Sequence, residues 1–351
     1  MSTRTLKSAV TLLALAAASF AEDQSPIKIV GTIQGAYSVT PVGRQGTSLG
    51  FLQDTTNHLR LTEATFDLNA DWDRIGFHID AGGGDFYKYA AAADSWQGPN
   101  RYISQAYIFG KPFGSLPVRV EAGKFFSSVG AEVPQGYQDF NTTRSLLFWY
   151  GSPLYHMGIR TSAPVTQTLS VGAQLLSGCN TITGSHGHQS MAFTSAYTAK
   201  HWGLAQIYMA GNEKFVGSGW RQLSDTVLTI NPSSTVTAYI ELLVAAEKRV
   251  IPGSDHWYGW ATAWKISPTA KWSFSPRVEW FNDPDGATTG SRQSLAEFTL
   301  TGEYRPVKYA ITRLEYRNEW SNRSLDYYGL GGLLPSRGQS IIAGVILMYQ
   351  R

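Results

Sequence analysis

Along most of the chain, apolar and polar residues alternate with a period of two, the spacing that puts successive side chains on opposite faces of a strand. Ile27, Ile29, Ile33, Tyr37 and Val39 share one face, with Lys28, Thr32, Gln34 and Ser38 on the other. Ala64, Phe66, Leu68 and Ala70 oppose Glu63, Thr65, Asp67 and Asn69, and Ile75, Phe77, Ile79 and Ala81 oppose Gly76, His78 and Asp80. The pattern is clearest late in the chain. There Ala296, Phe298, Leu300 and Tyr304 oppose Glu297, Thr299, Thr301 and Glu303, while Ala310, Thr312, Leu314 and Tyr316 oppose Ile311, Arg313, Glu315 and Arg317. The last segment, Gln339–Tyr349, alternates through Ile341, Ala343, Val345, Leu347 and Tyr349. An all-β protein follows. Pro276 interrupts one such segment, and its missing N–H predicts a bulge or a shifted register there.

Connector lengths separate a soluble sandwich, which would also alternate, from a membrane barrel. Short links fall at Asp71–Arg74, Lys111–Ser115, Ala163–Thr168, Lys200–His201, Asn231–Ser234, Ser267–Lys271 and Arg305–Lys308. Between them lie longer Gly-rich and polar stretches: Thr40–Leu59, Gly82–Tyr102, Phe126–Leu146, Ser177–Gln189, Gly211–Gly219, Lys248–His256, Asn282–Gln293 and Ser321–Gly338. Strict alternation of short and long predicts a transmembrane antiparallel up-and-down β-barrel with short periplasmic turns and long extracellular loops. The segments number about sixteen, and a barrel of that size encloses water rather than packing solid.

Composition fits that destination. Met1–Ala21 carries Arg4 and Lys7, an apolar run from Ala9 to Ala18 and a small-x-small site at Ser19-Phe20-Ala21, the form of a cleaved signal peptide, so residues 22–351 form the expected barrel. Loss of the leader lowers the basic count from 29 to 27 against 26 acids, and the remaining Lys and Arg are scattered among acids, which argues against a nucleic-acid partner. The mature part has no apolar run of the roughly 18 residues a membrane helix needs. It is rich in aromatics (13%) and poor in charge (16%), as a barrel with aromatic girdles would be. A lone Cys179 excludes an internal disulfide framework. His186 and His188, with His156 or His201, lack a supporting carboxylate at ligand spacing and read as solvated loop residues. Asn282-Asp283-Pro284-Asp285-Gly286 reads as a plain turn rather than a calcium loop. No metal and no cofactor is expected.

Charges on the polar faces must point inward, because a midplane arginine facing lipid costs about 2–4 kcal/mol. Glu63, Asp67, Arg119, Glu121, Arg160, Arg277, Glu279, Glu297, Glu303, Arg313, Glu315 and Arg317 are therefore expected to line the lumen. Glu279 and Glu315 each stand two residues from an arginine on the same face, which favours ion pairing over a hydrolytic carboxylate pair. The third long stretch, Phe126–Leu146, carries Glu132, Asp139 and Arg144; it either folds into the pore as a constriction or lies outside as a lid.

Several stretches together resemble the OmpL-like β-barrel porin family: Val120-Glu121-Ala122-Gly123-Lys124-Phe125, Thr143-Arg144-Ser145-Leu146-Leu147-Phe148, Tyr155-His156-Met157-Gly158-Ile159-Arg160, Arg277-Val278-Glu279-Trp280-Phe281-Asn282-Asp283-Pro284-Asp285-Gly286 and Arg313-Leu314-Glu315-Tyr316-Arg317-Asn318-Glu319-Trp320-Ser321. They run colinearly across nearly all of the mature chain. The resemblance implies an outer-membrane pore of unassigned substrate with no catalytic residues. Its expected partners are outer-membrane lipids and lipopolysaccharide, the barrel assembly machinery that reads the terminal strand, small hydrophilic solutes, and two further copies in a homotrimer. Two other readings stay open. One is a barrel enzyme of lipase or protease type built on His156 near Ser145 and Ser152; the other is a non-conducting structural or adhesive barrel.

Overall fold

A computed structural model describes residues 26–42, 57–90, 99–114, 116–182, 189–213, 219–248, 253–323 and 337–351. Sixteen antiparallel strands close into one barrel, each paired with its neighbours in sequence and the first with the last. They are β1 (Ile27–Val42), β2 (His58–Trp72), β3 (Ile75–Gly83), β4 (Ile103–Gly110), β5 (Arg119–Phe126), β6 (Tyr155–Pro164), β7 (Leu169–Leu176) and β8 (Ser190–Thr198). The second half comprises β9 (Trp202–Asn212), β10 (Trp220–Ser233), β11 (Val236–Lys248), β12 (Ser254–Ile266), β13 (Trp272–Asp283), β14 (Gln293–Val307), β15 (Ala310–Ser321) and β16 (Arg337–Gln350). Reciprocal 3.0 Å bonds between the backbones of Ile29 and Arg351 fasten the two ends of the chain on the short-turn side. Closure leaves no free sheet edge to face lipid. The leader expected over Met1–Ala21, and His186 and His188, lie outside the described residues.

Alternation translates directly into an outer face. Ile33, Tyr37, Phe66, Ile108, Leu314, Val345 and Leu347 are exposed, whereas their neighbours Thr32, Gln34, Thr65, Arg313, Glu315 and Ile346 are buried. Trp72 with Phe77, Tyr197 with Trp202, and Trp272 with Tyr304 pair their rings near the short-turn end, the position of a periplasmic aromatic girdle. Pro276 needs neither bulge nor slip. Its strand keeps an unbroken ladder to β14, including Pro276 opposite Leu300, and keeps one register with β12 while omitting the pairs between Ala263–Arg277 and Ile266–Phe274. A prolyl nitrogen has no hydrogen to donate, so the missing pairs fall on the side that nitrogen faces.

One expectation about the inner face needs correction. Inward-pointing charges imply that the apolar faces meet lipid, yet Ile207, Met209, Leu223, Val227, Leu243, Trp257, Phe281 and Leu295 are inward and buried. They sit toward the long-loop ends of β9–β14 and form a hydrophobic core inside the barrel. What covers them is the long connection after β5.

Candidate functional site

Residues 127–154 leave β5, cross the interior and return to β6. Inward side chains from opposite walls hold this insert. On one side Glu63 of β2 accepts from the Gly136 N–H (3.0 Å) and from Arg144 (2.9 Å), and Gln135 donates to Asp80 of β3 (2.6 Å). On the other, Asp225 of β10 accepts the Gly130 N–H at 2.8 Å and Glu241 of β11 the Ala131 N–H at 3.0 Å. A segment bonded to both walls at once can only lie inside. The fit at Gly136 is close, since a Cβ there would stand 2.9 Å from a Glu63 oxygen and 3.0 Å from Arg144 Nη2, so those side-chain ends would have to shift.

The densest contacts are with β13–β15. Glu315 accepts from the Thr142 N–H (2.5 Å), the Thr143 N–H (3.0 Å), the Thr143 hydroxyl (2.6 Å) and the Thr301 hydroxyl (2.7 Å). Glu279 accepts the Leu146 N–H at 2.6 Å. Arg313 donates to the carbonyls of Gly136, Asp139 and Asn141 while pairing with Glu303 at 3.0 Å. Arg277 joins Glu132 of the insert (2.6 Å) to Glu297 of the wall (2.8 Å), and Arg317 pairs with Glu297 and Glu319. The side chains of Arg277, Glu279 and Glu297 are completely covered. The charged ladder of β13–β15, expected to face water, therefore braces the insert instead. Buried charges of this kind need partners: Arg277, Arg313 and Arg317 each pair with carboxylates, and Glu315 is held by its four hydrogen bonds.

Of the insert's own charges, Arg144 is knotted internally, donating to the carbonyls of Val133, Thr142 and Pro134 beside its Glu63 contact. Asp139 accepts the Val133 N–H at 3.0 Å and lies 2.8 Å from Arg144 Nε; burial nevertheless pushes its carboxyl up to about 8. Above this polar layer, Val129, Leu146, Leu147 and Tyr150 pack against the inner apolar core. Burial of these side chains is the principal driving force for insertion. The second long stretch joins in as well. Helix α1 (Asp85–Ala90) sends Phe86 and Tyr87 against Phe148, Ala36 and Ile342, and Arg60 of β2 fastens it through Asp85 at 2.5 Å. Neither α1 nor this packing was visible in the alternation, because six residues of helix in a long polar stretch carry no periodic signal.

A different group of predicted residues stays partly open. Arg119 (14% exposed) and Arg160 (15%) both bind Glu121, and Asp67 (20%) lies 3.3 Å from His78. Of these, Glu121 and Arg160 border the free space beside β5–β8, with Ser128, Ser170, Gln174 and Thr194. His156 bonds Ser127 (3.1 Å) and the Gly178 carbonyl (2.8 Å), and both its partner and the ring are buried. Ser145 instead caps the Phe148 N–H at 3.0 Å and the buried Ser152 hydroxyl has no hydrogen-bond partner among the described residues, so neither serine is bonded to His156. Asp283 accepts the N–H groups of Ala287, Thr288 and Thr289, which makes the Asn282–Gly286 stretch a carboxylate-capped turn. Burial and the adjacent Glu213 raise the Cys179 thiol well above its ordinary range, which suppresses thiolate chemistry.

A closed sixteen-strand barrel with an inserted third long connection is the geometry, and the sequence carries the family. Residues 26–344 match the family described as "Putative beta-barrel porin-2, OmpL-like". The chain belongs to this family. Solved structures similar to this OmpL-like porin share its fold at low identity. OmpT of Vibrio cholerae, known also in a trimer form, is 9% identical with a TM-score of 0.62 over 92% of this chain and 97% of that one. The outer-membrane channel DcaP of Acinetobacter baumannii is 10% identical (TM-score 0.62; 92% and 97% covered). An anion-selective porin from Comamonas acidovorans is 7% identical (TM-score 0.61; 92% and 99% covered). No curated protein matches by sequence. The chain is thus an outer-membrane β-barrel of a porin family.

Proposed function

We propose that this barrel is a passive diffusion porin for small hydrophilic solutes, and that the insert of residues 127–154 forms its constriction. The observation that carries the reading is the insert bonded across the lumen, which narrows a barrel otherwise wide enough for water. Glu132, Asp139 and Arg144 act as the insert's internal and wall-facing ties, while Asp67, Arg119, Glu121 and Arg160 line the remaining passage. Export by the leader, lipid and lipopolysaccharide around the apolar belt, assembly through the terminal strand and a homotrimer complete the proposal. Reconstitution in a planar bilayer tests it: discrete conductance steps are expected, and they should enlarge when Gly130–Gly136 is deleted. The apolar packing of Leu146 and Leu147 favours a second reading, a plugged structural barrel. Absence of any conductance from folded protein would select that one.

A further inference from the structure

Below the insert, at the short-turn end of β10–β14, the structure holds a cavity of about 440 Å³, within the size range of small-molecule sites. Its roof is Tyr137, Gln138 and Phe140, the turn of the insert that points toward the periplasm. Lys265, Lys271 and Arg305 line it, and Glu303 is its single carboxylate. That carboxylate is already saturated. Oε1 takes Lys265 Nζ at 3.0 Å, Arg305 Nε at 2.8 Å and the Ser273 hydroxyl at 3.4 Å, and Oε2 takes Arg313 at 3.0 Å. Three cations thus share one negative charge, and Arg313 spends its remaining N–H groups on carbonyls of the insert.

Lys265 and Arg305 are in a different position. Among the described residues each makes no other hydrogen bond, and they keep 21% and 35% of their side-chain surface open. Their unspent donors face a cavity walled on one side by the Phe140 ring, which lies 5.9 Å from Lys265 Nζ. A site with surplus positive charge, free N–H donors and an adjacent aromatic face suits a small organic anion carrying a planar or apolar group. The same imbalance recurs across the lumen, where Arg119 and Arg160 share Glu121.

We infer that Lys265 and Arg305 form a binding site for small organic carboxylates at the periplasmic mouth of the channel. This rests on the porin reading for its physiological meaning, but the site itself can be tested independently of conduction. Full-length protein in detergent is titrated calorimetrically with benzoate, with benzyl alcohol and benzylamine as neutral and cationic counterparts. Benzoate alone should bind, more weakly at high salt. Lys265→Gln with Arg305→Gln should weaken binding by at least about tenfold, the loss expected for charge-assisted bonds. Lys265→Arg should retain it, and Arg305→Gln alone, at a half-buried position, should weaken binding while leaving heat-modifiable folded barrel.

No benzoate binding by the folded wild type, or equal binding by the double variant, overturns the inference. In bilayers under a salt gradient, the double variant should move the zero-current potential toward cation preference. Protein that binds benzoate yet passes no current keeps the site and removes the porin reading. Protein that conducts with neither benzoate binding nor a shift in potential does the reverse.

Discussion

Replacing Glu315 by Gln perturbs the insert at one of its most heavily used anchors. The wild-type carboxylate accepts two backbone N–H groups and two hydroxyls, and no part of it reaches solvent. Glutamine has the same shape but only one accepting oxygen, so its NH₂ must face the N–H of Thr142 or Thr143. One charge-assisted bond is lost, at about 1.5–3 kcal/mol, and one buried donor is orphaned, at about 1–3 kcal/mol. Relief of the buried charge offsets part of this, leaving roughly 2–4 kcal/mol against the inserted position. At about 1.4 kcal/mol per decade, the detached population rises by between ten- and a thousand-fold. Limited proteolysis of folded barrels, with cuts mapped around Tyr137 and Gln138, reads that population, and single-channel records should gain frequent conductance fluctuations. Wild-type cleavage rates together with quiet, unchanged steps would refute the clasp argument. The anchors at Glu279, Arg277 and Arg313 would then suffice without it.

Gly123 adopts φ +141°, and a Cβ there would sit 2.2 Å from the Ala106 carbonyl oxygen; Gly123→Ala should lower the yield of heat-modifiable folded barrel, and a normal yield would show that β4 and β5 can spread. Cysteine at Gly286, in a long connection, should be labelled by impermeant reagent on intact cells, whereas cysteine at Gly114, in a short turn, should not; the opposite pattern would invert the barrel. Asp139 is raised from 3.8 to about 8, so the folded chain holds a proton that the unfolded chain releases, and stability falls as pH rises through that window. Protease resistance of the insert should therefore decline from pH 4 to pH 8, and Asp139→Asn should flatten the decline. A slope that survives the substitution would assign it to another group.

Strand identity was legible because it is a local property. A period of two repeated in each segment, with Gly-rich connectors of alternating length, is sufficient to specify strands, their order and the outward face of Ile33, Leu314 or Val345 without knowledge of any distant residue. Closure follows from the same pattern, since lipid tolerates no open edge. Two things lay beyond it. Alternation could not separate lipid-facing from core-facing apolar residues, so Ile207, Met209 and Leu223 acquired their inward role only from the insert that covers them. Nor could it choose between constriction and lid for Phe126–Leu146, because that choice depends on matching donors to acceptors far apart in the chain. Thr142 meets Glu315 across 173 positions, Gly136 meets Glu63 across 73, and Lys265 reaches Glu303 only once β12 and β14 flank β13. Such pairings leave no periodic trace in sequence: each is a single satisfied group whose partner the closed barrel alone brings within 3 Å.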